Sequence, residues 1–301
     1  MSIRTPSTTQ TRQTLLDLER TKSRLVQNQT RIATGNRLTS PGDDPAAAAS
    51  ILDLGNSMQA NTQFVKQADT AMGFLTTSED IVSSAINDVE RLQELAVTVS
   101  SASAPEIDAI RTSLLGLANT QIQGKYIFAG TQTLGTAAHP LPFEDAAPPA
   151  GPINYWGNSG TVNLNVTATT TIATNTPGDT VFFGPGGQGS TTDLFKAVTD
   201  LRDGMATNNA ALVSTATTNL QNSLNNLLKV QTDLGGRQSQ LLNLKDTLTG
   251  FNVNLQDLQN NLQDTDFAKA ATEYSTDQTI QSATLSVLAK ANKTSLFDYM
   301  A

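Results

Sequence analysis

Few side chains in this sequence could take part in metal or nucleophilic chemistry. The 301 residues include no cysteine, which excludes thiol nucleophiles, thiolate metal sites and disulfides. The single histidine, His139, lies between Ala138 and Pro140, where we expect a surface loop residue. A catalytic zinc site draws three ligands from the protein, and no histidine or cysteine is left to join His139 in one. The sequence therefore predicts no metal site.

Three acidic residues and one glycine-rich run are the remaining candidates for a reactive site. Glu144 and Asp145, or Asp179, could form the carboxylate pair of a glycoside hydrolase, but adjacent acids in a loop are ordinarily solvated and nothing fixes their separation. The glycine-rich run at residues 184–190 lacks the Lys-Ser/Thr pair of a phosphate loop. It also lacks the spacing of a dinucleotide fingerprint. We therefore expect no catalytic residue and no cofactor.

The charge balance and hydropathy exclude two further classes of partner. Nineteen basic and 27 acidic residues give a net charge of -8, which disfavours binding to nucleic acid or to an anionic membrane. No segment approaches the roughly 20 apolar residues of a membrane span. Residues 1–15 hold polar side chains where a cleaved secretory signal needs a hydrophobic run. We expect a soluble protein that is not exported by a cleaved signal.

Most of the chain is predicted to form long helices. The strongest apolar stripe among them lies near the C-terminus. Apolar residues recur there in alternating steps of three and four, which is the spacing of a coiled-coil seam. They are Leu241, Leu244, Leu248, Phe251, Leu255, Leu258 and Leu262. After Asp264 the row restarts with more polar members: Phe267, Ala270 or Ala271, Tyr274, Gln278, Gln281, Leu285, Leu288 and Asn292. We expect the first row to close within one subunit and the second to await other chains.

An N-terminal helix with a similarly half-polar seam is expected to pair with this C-terminal one. Residues 1 to about 12 are polar and are expected to be mobile. One face of the following helix then carries Leu15, Leu18, Leu25 and Ile32, with Lys22 and Gln29 at the alternate positions. Gly35 is a predicted C-cap, and Asp43 or Asp44 is predicted to cap the next helix, with Pro45 in its first turn.

The central helix has the most regular pattern in the chain. Its stripe is Phe64, Ala68, Ala71, Leu75, Ser78, Val82, Ala85, Val89, Leu92, Ala96 and Val99. We interpret it as the seam of a bundle inside one subunit. Residues 100–104 interrupt it, Pro105 opens another helix to about Gly124, and helices return near Ser190, which with Asp193 resembles a capping box. The last helical region, from about residue 212 to residue 300, has possible breaks at Gly235 and Gly236 and at Asp264.

Between these helices the pattern changes to short alternating segments separated by proline and glycine. Residues 124–130 are expected to form a strand or turn that leaves the helices, and residues 161–166 and 181–183 have strand-like patterns. Together they predict a small inserted β domain. Tyr155 and Trp156 are expected to supply much of its core.

The predicted fold is therefore mainly α: a long antiparallel helical coiled-coil bundle, or rod, with paired terminal helices and a small inserted β-rich domain. Residues 1–45 and 264–301 are predicted to be terminal assembly segments. Residues 46–130 and 191–263 form the two halves of the rod, and residues 131–190 form the insert.

Three motifs resemble the bacterial flagellins and their hook-associated relatives. They are residues 31–49 (RIATGNRLTSPGDDPAAAA), residues 262–273 (LQDTDFAKAATE) and residues 295–300 (SLFDYM). The form DDPAAA at residues 43–48, in place of the DDAAGL type common in filament flagellin, is similar to the hook-associated branch of the family. The runs GKYIFAGT, LPF and PGDTVF, at residues 124–131, 141–143 and 177–182, match the same branch.

The resemblance implies a structural protein of the extracellular flagellum, exported unfolded through the flagellar type III apparatus. It implies a ring of identical subunits between hook and filament, with a hook-associated protein and filament flagellin as neighbours. It also implies a dedicated export chaperone that holds the C-terminal helix. In the family the terminal helices line the inner tube, and the insert lies on the outer surface.

Apolar residues of the terminal seams are the candidate site residues under this interpretation. For self-assembly they are Leu18, Leu25, Ile32, Phe267, Leu285, Leu288, Leu296 and Tyr299. For export-chaperone binding they are Phe267, Tyr274, Leu285 and Leu288. The alternatives are filament flagellin, an intracellular coiled-coil scaffold or signalling protein, and an enzyme that acts on surface glycans through the acidic residues of the insert.

Overall fold

The computed structural model describes the backbone of residues 5–147 and 151–300, and the side chains of residues 9, 12–147 and 151–290. Six α-helices make up most of the described chain, which confirms the mainly α fold class. They are α1 (Thr5–Thr34), α2 (Pro45–Val97), α3 (Ala104–Ala118), α4 (Leu194–Ala206), α5 (Ala210–Gln263) and α6 (Phe267–Met300). A short 3-10 helix at Ser101–Ser103 separates α2 from α3, as the predicted interruption requires.

Six short strands lie between α3 and α4 in the described residues, the last four of them within the predicted insert, residues 131–190. They are β1 (Gln121–Ile122), β2 (Lys125–Tyr126), β3 (Phe143–Asp145), β4 (Ile153–Tyr155), β5 (Asn163–Asn165) and β6 (Thr171–Ala173). Consecutive strands pair as three separate antiparallel hairpins, β1 with β2, β3 with β4 and β5 with β6. The predicted β-rich insert is therefore present, and within the described residues it consists of hairpins with loops between them.

The chain divides into two compact units. One, here called the terminal unit, consists of Met1–Ala60 and Phe251–Ala301, and the other, the central unit, is Asn61–Gly250. In the terminal unit α1 and α6 run antiparallel, because Asn28 contacts Asp277 while Asn36 bridges to Asp264. The paired terminal helices predicted from the sequence are thus observed.

The first helix begins earlier than expected. It already includes Thr5, whereas the sequence suggested an irregular segment up to about residue 12. Pro6 lies in its first turn, where the missing amide donor costs nothing, and the polar residues after it are compatible with an exposed helix. The helix ends as predicted: Gly35 has φ 74°, and its N–H donates to Arg31 O at 2.9 Å.

In the central unit α2 and α5 run antiparallel, with the buried row of α2 facing inward. Gln238 Nε2 donates to Glu79 Oε2 at 2.8 Å, and Lys245 Nζ lies 2.7 Å from Asp69 Oδ1. Most members of the predicted α2 stripe are fully buried: Ala68, Ala71, Leu75, Ser78, Val82, Ala85, Val89 and Leu92. The intramolecular interpretation of this seam is confirmed.

The helix α5 continues through Gly235 and Gly236, so the expected break there is wrong. Two helical glycines cost about 1 kcal/mol each relative to alanine, which tertiary contacts can offset. Leu234 is buried beside them, and Arg237 Nη1 donates to Asn175 O at 3.0 Å. The break at Asp264 is confirmed, since α5 ends at Gln263 and α6 begins at Phe267.

Phenylalanines from the insert and α4 form the core at the base of the insert. The cluster consists of Phe128, Phe143, Phe182, Phe183 and Phe195, with neighbouring ring centroids 5.3 to 6.4 Å apart. Tyr155 packs at its edge, 4.8 Å from Phe143. Trp156 does not belong to this core: it is 41% exposed, so its predicted core role is wrong. It follows Tyr155 on the strand and therefore projects from the opposite face.

Three local predictions near the ends of the insert also need correction. Residues 181–183, expected as a strand, lie in a π-helical turn at Asp179–Phe183 that places all three apolar side chains in the core. The helix α3 ends at Ala118 rather than near Gly124, because β1 and β2 follow it. Asp193, not Ser190, caps α4: its Oδ1 accepts from Lys196 N at 3.0 Å.

Candidate functional site

The α1–α6 pair of the terminal unit has a seam in which three of the four buried described positions are polar. In α1, Thr21 and Asn28 are buried, while Leu18, Leu25 and Ile32 are half-buried. These five residues follow steps of three and four, so they lie on one stripe. The alternate seam positions are therefore Thr21 and Asn28. Lys22 and Gln29, predicted for that role, are exposed.

The facing stripe of α6 is shifted from the predicted one after Tyr274. Ala270 and Asp277 are buried, and Tyr274, Gln281, Thr284 and Leu288 are half-buried. Leu285, expected in the same row as Leu288, is 50% exposed. The stripe that contacts α1 continues from Asp277 to Gln281 and Thr284, which turns Leu285 to solvent.

A charged cluster lies in the middle of this seam. The Asp277 side chain is only 8% exposed, and Arg24 Nη2 lies 3.0 Å from its Oδ1. Asn28 Nδ2 donates to the other oxygen, Oδ2, at 3.3 Å. Each carboxylate oxygen therefore has a partner on α1. The Arg24 side chain is itself 58% exposed, so only the carboxylate end of this ion pair is buried. Loss of its partners on α1 would leave that carboxylate buried and uncompensated, so the cluster favours one alignment of the two helices.

Two of the three motifs that carried the flagellin resemblance, residues 31–49 and 262–273, meet where α1 and α5 end. Arg37 N donates to Gln263 O at 2.7 Å, and Thr265 N donates to Gly35 O at 2.8 Å. Arg37 Nη2 reaches Leu262 O at 3.0 Å. From sequence the first motif was interpreted only as helix punctuation. In the structure the motif also joins the N-terminal and C-terminal segments by backbone hydrogen bonds. No periodic pattern in the sequence indicates this second role.

Two aspartates hold the turn that follows α1. Asp43 Oδ2 accepts from Thr39 Oγ1 at 2.8 Å and from the N–H groups of Thr39 and Ser40 at 3.0 Å, which lowers the pKa of Asp43. Asp44 Oδ1 accepts from Ala47 N at 3.1 Å, and this backbone hydrogen bond lowers the pKa of Asp44. Asp44 is therefore the N-cap of α2. It is one of the two residues that the sequence predicted for this role.

Apolar side chains on the terminal unit remain uncovered by the rest of the described chain. They lie on the four helices that contribute to this unit: Leu15, Leu16 and Val26 of α1, Leu52 of α2, Phe251, Val253 and Leu258 of α5, and Phe267, Ile280, Leu285 and Val287 of α6. Large exposed apolar patches mark surfaces that other molecules cover. We call these eleven residues the uncovered apolar set.

The set corrects the expected extent of the intramolecular seam. Full burial along the α5 stripe ends at Leu248: Phe251 and Leu258 are 55% and 53% exposed, whereas Leu255 and Leu262 are half-buried. The prediction that the whole row to Leu262 closes within one subunit is therefore wrong for Phe251 and Leu258. Beyond Leu248 the row is covered only in part.

The predicted assembly residues fall into three groups. Leu18, Leu25, Ile32, Tyr274 and Leu288 are half-buried along the α1–α6 seam. Phe267 and Leu285 belong to the uncovered apolar set, and the edge of the Phe267 ring lies near Gly35. Leu296 and Tyr299 lie outside the residues whose side chains are described.

The three acidic residues considered for catalysis make ion pairs or hydrogen bonds with other residues of the protein. Asp145, expected to be solvated, is buried and pairs with Arg111, whose Nη1 lies 2.6 Å from Asp145 Oδ2. Glu144 Oε2 lies 3.0 Å from His139 Nδ1, and Asp179 accepts hydrogen bonds from Ser159 and from Thr180 N. No group of three potential metal ligands is found among the described residues. None of the helices in those residues has the length and apolar character needed to cross a bilayer.

Comparison with known families identifies the class of protein. Residues 7–133 match the bacterial flagellin N-terminal helical region, and residues 213–300 match the bacterial flagellin C-terminal helical region. The chain belongs to the bacterial flagellin family. This is a family of structural flagellar proteins rather than of enzymes, and the chain is accordingly a structural component of the flagellum.

Within the family, the similar curated proteins carry the name flagellar hook-associated protein 3. The one from Salmonella typhimurium is 28% identical over 295 residues, covering 88% of this chain and 90% of the relative. The one from Escherichia coli is 26% identical over 294 residues, with the same coverage. The similarity thus extends through the insert as well as the terminal helices.

Solved structures show the same fold. A putative flagellar hook-associated protein from Vibrio parahaemolyticus matches with a TM-score of 0.65 and 18% identity, over 74% of this chain and 100% of that one. FlgL from Bacillus cereus matches with a TM-score of 0.57 and 24% identity, over 69% and 99%. The flagellar junction protein FlgL from Legionella pneumophila matches with a TM-score of 0.56 and 18% identity, over 73% and 100%.

Proposed function

We propose that this protein is the subunit of a ring that joins the flagellar hook to the filament. The observation that carries the proposal is the match to flagellar hook-associated protein 3, which spans 88% of this chain and 90% of the relatives. The uncovered apolar set of the terminal unit supports it, since a subunit that works only in an assembly must keep some apolar surface for its neighbours.

In this proposal residues 1–45 and 264–301 are the assembly segments of the inner tube. Leu18, Leu25, Ile32 and Leu288 hold α1 against α6, while Phe267 and Leu285 contact neighbouring subunits. Leu296 and Tyr299 are proposed on sequence alone to take part in the same assembly. Burial of apolar area stabilises contacts by about 25 cal/mol per Å², so covering the set favours ring formation. At the two edges of the ring, a hook-associated protein and filament flagellin bind to these same assembly surfaces.

Export is the second part of the proposal. The chain leaves the cell unfolded through the flagellar type III apparatus, without a cleaved signal, and acts on the extracellular flagellum. A dedicated chaperone holds α6 beforehand through Phe267, Tyr274, Leu285 and Leu288. The polar seam supports this, because a helix pair that buries Asp277, Asn28 and Thr21 adds little stability and separates readily. We propose no catalytic activity and no cofactor.

Filament flagellin is the competing function, since the matching family models describe flagellins in general. Purified protein added to isolated hooks distinguishes the two. We expect it to bind in a fixed small number of copies and then to stop, which electron microscopy and quantitative gel analysis would show. Continued growth into filaments would reject the ring in favour of filament flagellin.

A further inference from the structure

The outer face of the β3–β4 hairpin carries a group of polar and aromatic side chains that the core does not use. Glu144 pairs with Asn154 in the antiparallel register, so their side chains project from the same face. Trp156, two residues after Asn154, lies on that face as well. The opposite face points inward: Phe143 is fully buried and packs on Tyr155.

Trp156 is held in a fixed orientation although it is exposed. The His139 ring stacks on it with centroids 3.5 Å apart and an interplanar angle of 7°. His139 is itself held by Glu144, whose Oε2 lies 3.0 Å from His139 Nδ1. One face of the indole is therefore covered, and 41% of the residue remains accessible to solvent. The ordering of a large exposed aromatic ring is not explained by core burial.

Two amide side chains lie at the same end of the hairpin. Gln188 Nε2 donates to Ile153 O at 2.8 Å and to Asn154 Oδ1 at 3.2 Å. Gln188 and Ile153 also line a cleft of about 350 Å³ whose other side is formed by α4, including Lys196 and Asp200. Asn154, which shares the outer face with Trp156, is therefore linked through Gln188 to the edge of this cleft.

We propose that this face binds a neutral oligosaccharide. The C–H groups of a pyranose ring carry partial positive charge and match the negative face of an aromatic ring. Sugar hydroxyls both donate and accept, as do the amides of Asn154 and Gln188, and the Glu144 carboxylate accepts. An apolar peptide would need an apolar border, whereas the groups beside Trp156 are a carboxylate and two amides. The Glu144 carboxylate, on the same face as Trp156, disfavours acidic sugars.

The single tryptophan of the chain allows a direct test. The fluorescence of Trp156 is followed while chitotriose, maltotriose, cellotriose and mannotriose are each titrated into the full-length protein, up to about 10 mM. We expect a saturable change with at least one of them at a Kd of about 1 mM or tighter. No saturable change with any of the four overturns the proposal.

Variants that keep the fluorophore show whether the proposed groups are responsible. Asn154→Ala is expected to weaken binding roughly five- to tenfold, as the loss of one hydrogen-bonding group does. Leu134→Ala, on an exposed residue of the same insert, serves as the matched control and should leave the Kd unchanged. Ligand-observed NMR extends the test to Trp156→Ala, which should abolish binding. Equal affinity in Asn154→Ala and in the control overturns the proposal.

Hook binding tests the proposed ring separately, so failure of one proposal leaves the other standing.

Discussion

At the scale of single residues, the buried Arg111–Asp145 pair fastens the insert to the helices of the central unit. Arg111 of α3 also donates through Nη2 to Gly151 O at 2.5 Å and through Nε to Thr199 Oγ1 at 3.3 Å. One guanidinium therefore joins α3, the β3–β4 hairpin and α4. Both charged side chains are almost fully removed from solvent, at 4% and 8% exposure.

Loss of the Asp145 carboxylate should be strongly destabilising. We expect Asp145→Ala to lower the free energy of unfolding by about 3–5 kcal/mol, because it removes the carboxylate that pairs with the buried Arg111 guanidinium. Glu94→Ala is the control: Glu94 pairs with Arg91 on the surface, and such pairs are worth about 0–1 kcal/mol. Urea denaturation followed by circular dichroism measures both. Equal losses in the two variants would contradict the assigned role.

The turn after α1 should depend on pH through Asp43. Its folded-state pKa is lowered by hydrogen bonds from Thr39 and Ser40, so its stabilising effect is present above the unfolded value of about 3.9. That effect is lost as pH falls through the lower folded value. We expect the amides of Thr39 and Ser40 to exchange faster in Asp43→Asn than in the wild type at neutral pH, and the difference to vanish in acid. NMR hydrogen exchange measures it, and a difference that persists below both pKa values would count against this.

At the scale of elements, the Arg24–Asp277–Asn28 cluster is expected to fix the register of α1 against α6. Removing the carboxylate leaves Arg24 and Asn28 without their partner, whereas Asp277→Asn keeps the shape and one acceptor. We expect Asp277→Ala to loosen the pair more than Asp277→Asn does.

Cysteine pairs provide the measurement, since the chain has no cysteine of its own. With Leu25→Cys and Tyr274→Cys introduced together and spin-labelled, the distance distribution between the two labels reports the alignment of the two helices. We expect one narrow distance when Asp277 is present and a broader distribution in Asp277→Ala. An unchanged distribution in Asp277→Ala would show that the cluster does not set the register.

The sequence predicted the helices well and the contacts between distant segments poorly. Period and capping residues are local signals, and they located α2, the Asp44 cap and the break at Asp264. Burial of Asp145 depends on Arg111, a residue of another element, and the outward position of Trp156 depends on hairpin register. No local sequence pattern indicates either the burial of Asp145 or the outward position of Trp156. The α6 seam was misaligned because one of its two buried positions, Asp277, is charged and was not considered for a seam.

At the scale of the whole molecule, the uncovered apolar set distinguishes residues that hold the monomer together from residues reserved for assembly. Leu285 is exposed, whereas Leu288 lies half-buried in the α1–α6 seam, only three residues away. The two leucines are therefore a matched pair for separating stability from assembly.

Leu285→Ala should impair assembly with little effect on the monomer. We expect its thermal unfolding to match that of the wild type within about 0.5 kcal/mol, as for an exposed substitution. Its binding to hooks and to the export chaperone should nevertheless fall. Leu288→Ala is the comparison and should lower monomer stability as well. Full motility of cells carrying Leu285→Ala would contradict the assignment of Leu285 to assembly.

The position of the protein along intact flagella tests the ring most directly. Antibody raised against the insert can be applied to sheared flagella that retain their hooks and visualised with gold particles in the electron microscope. The account predicts one narrow band of label between hook and filament on each flagellum. Label along the length of the filament, or label confined to the cell body, would contradict it.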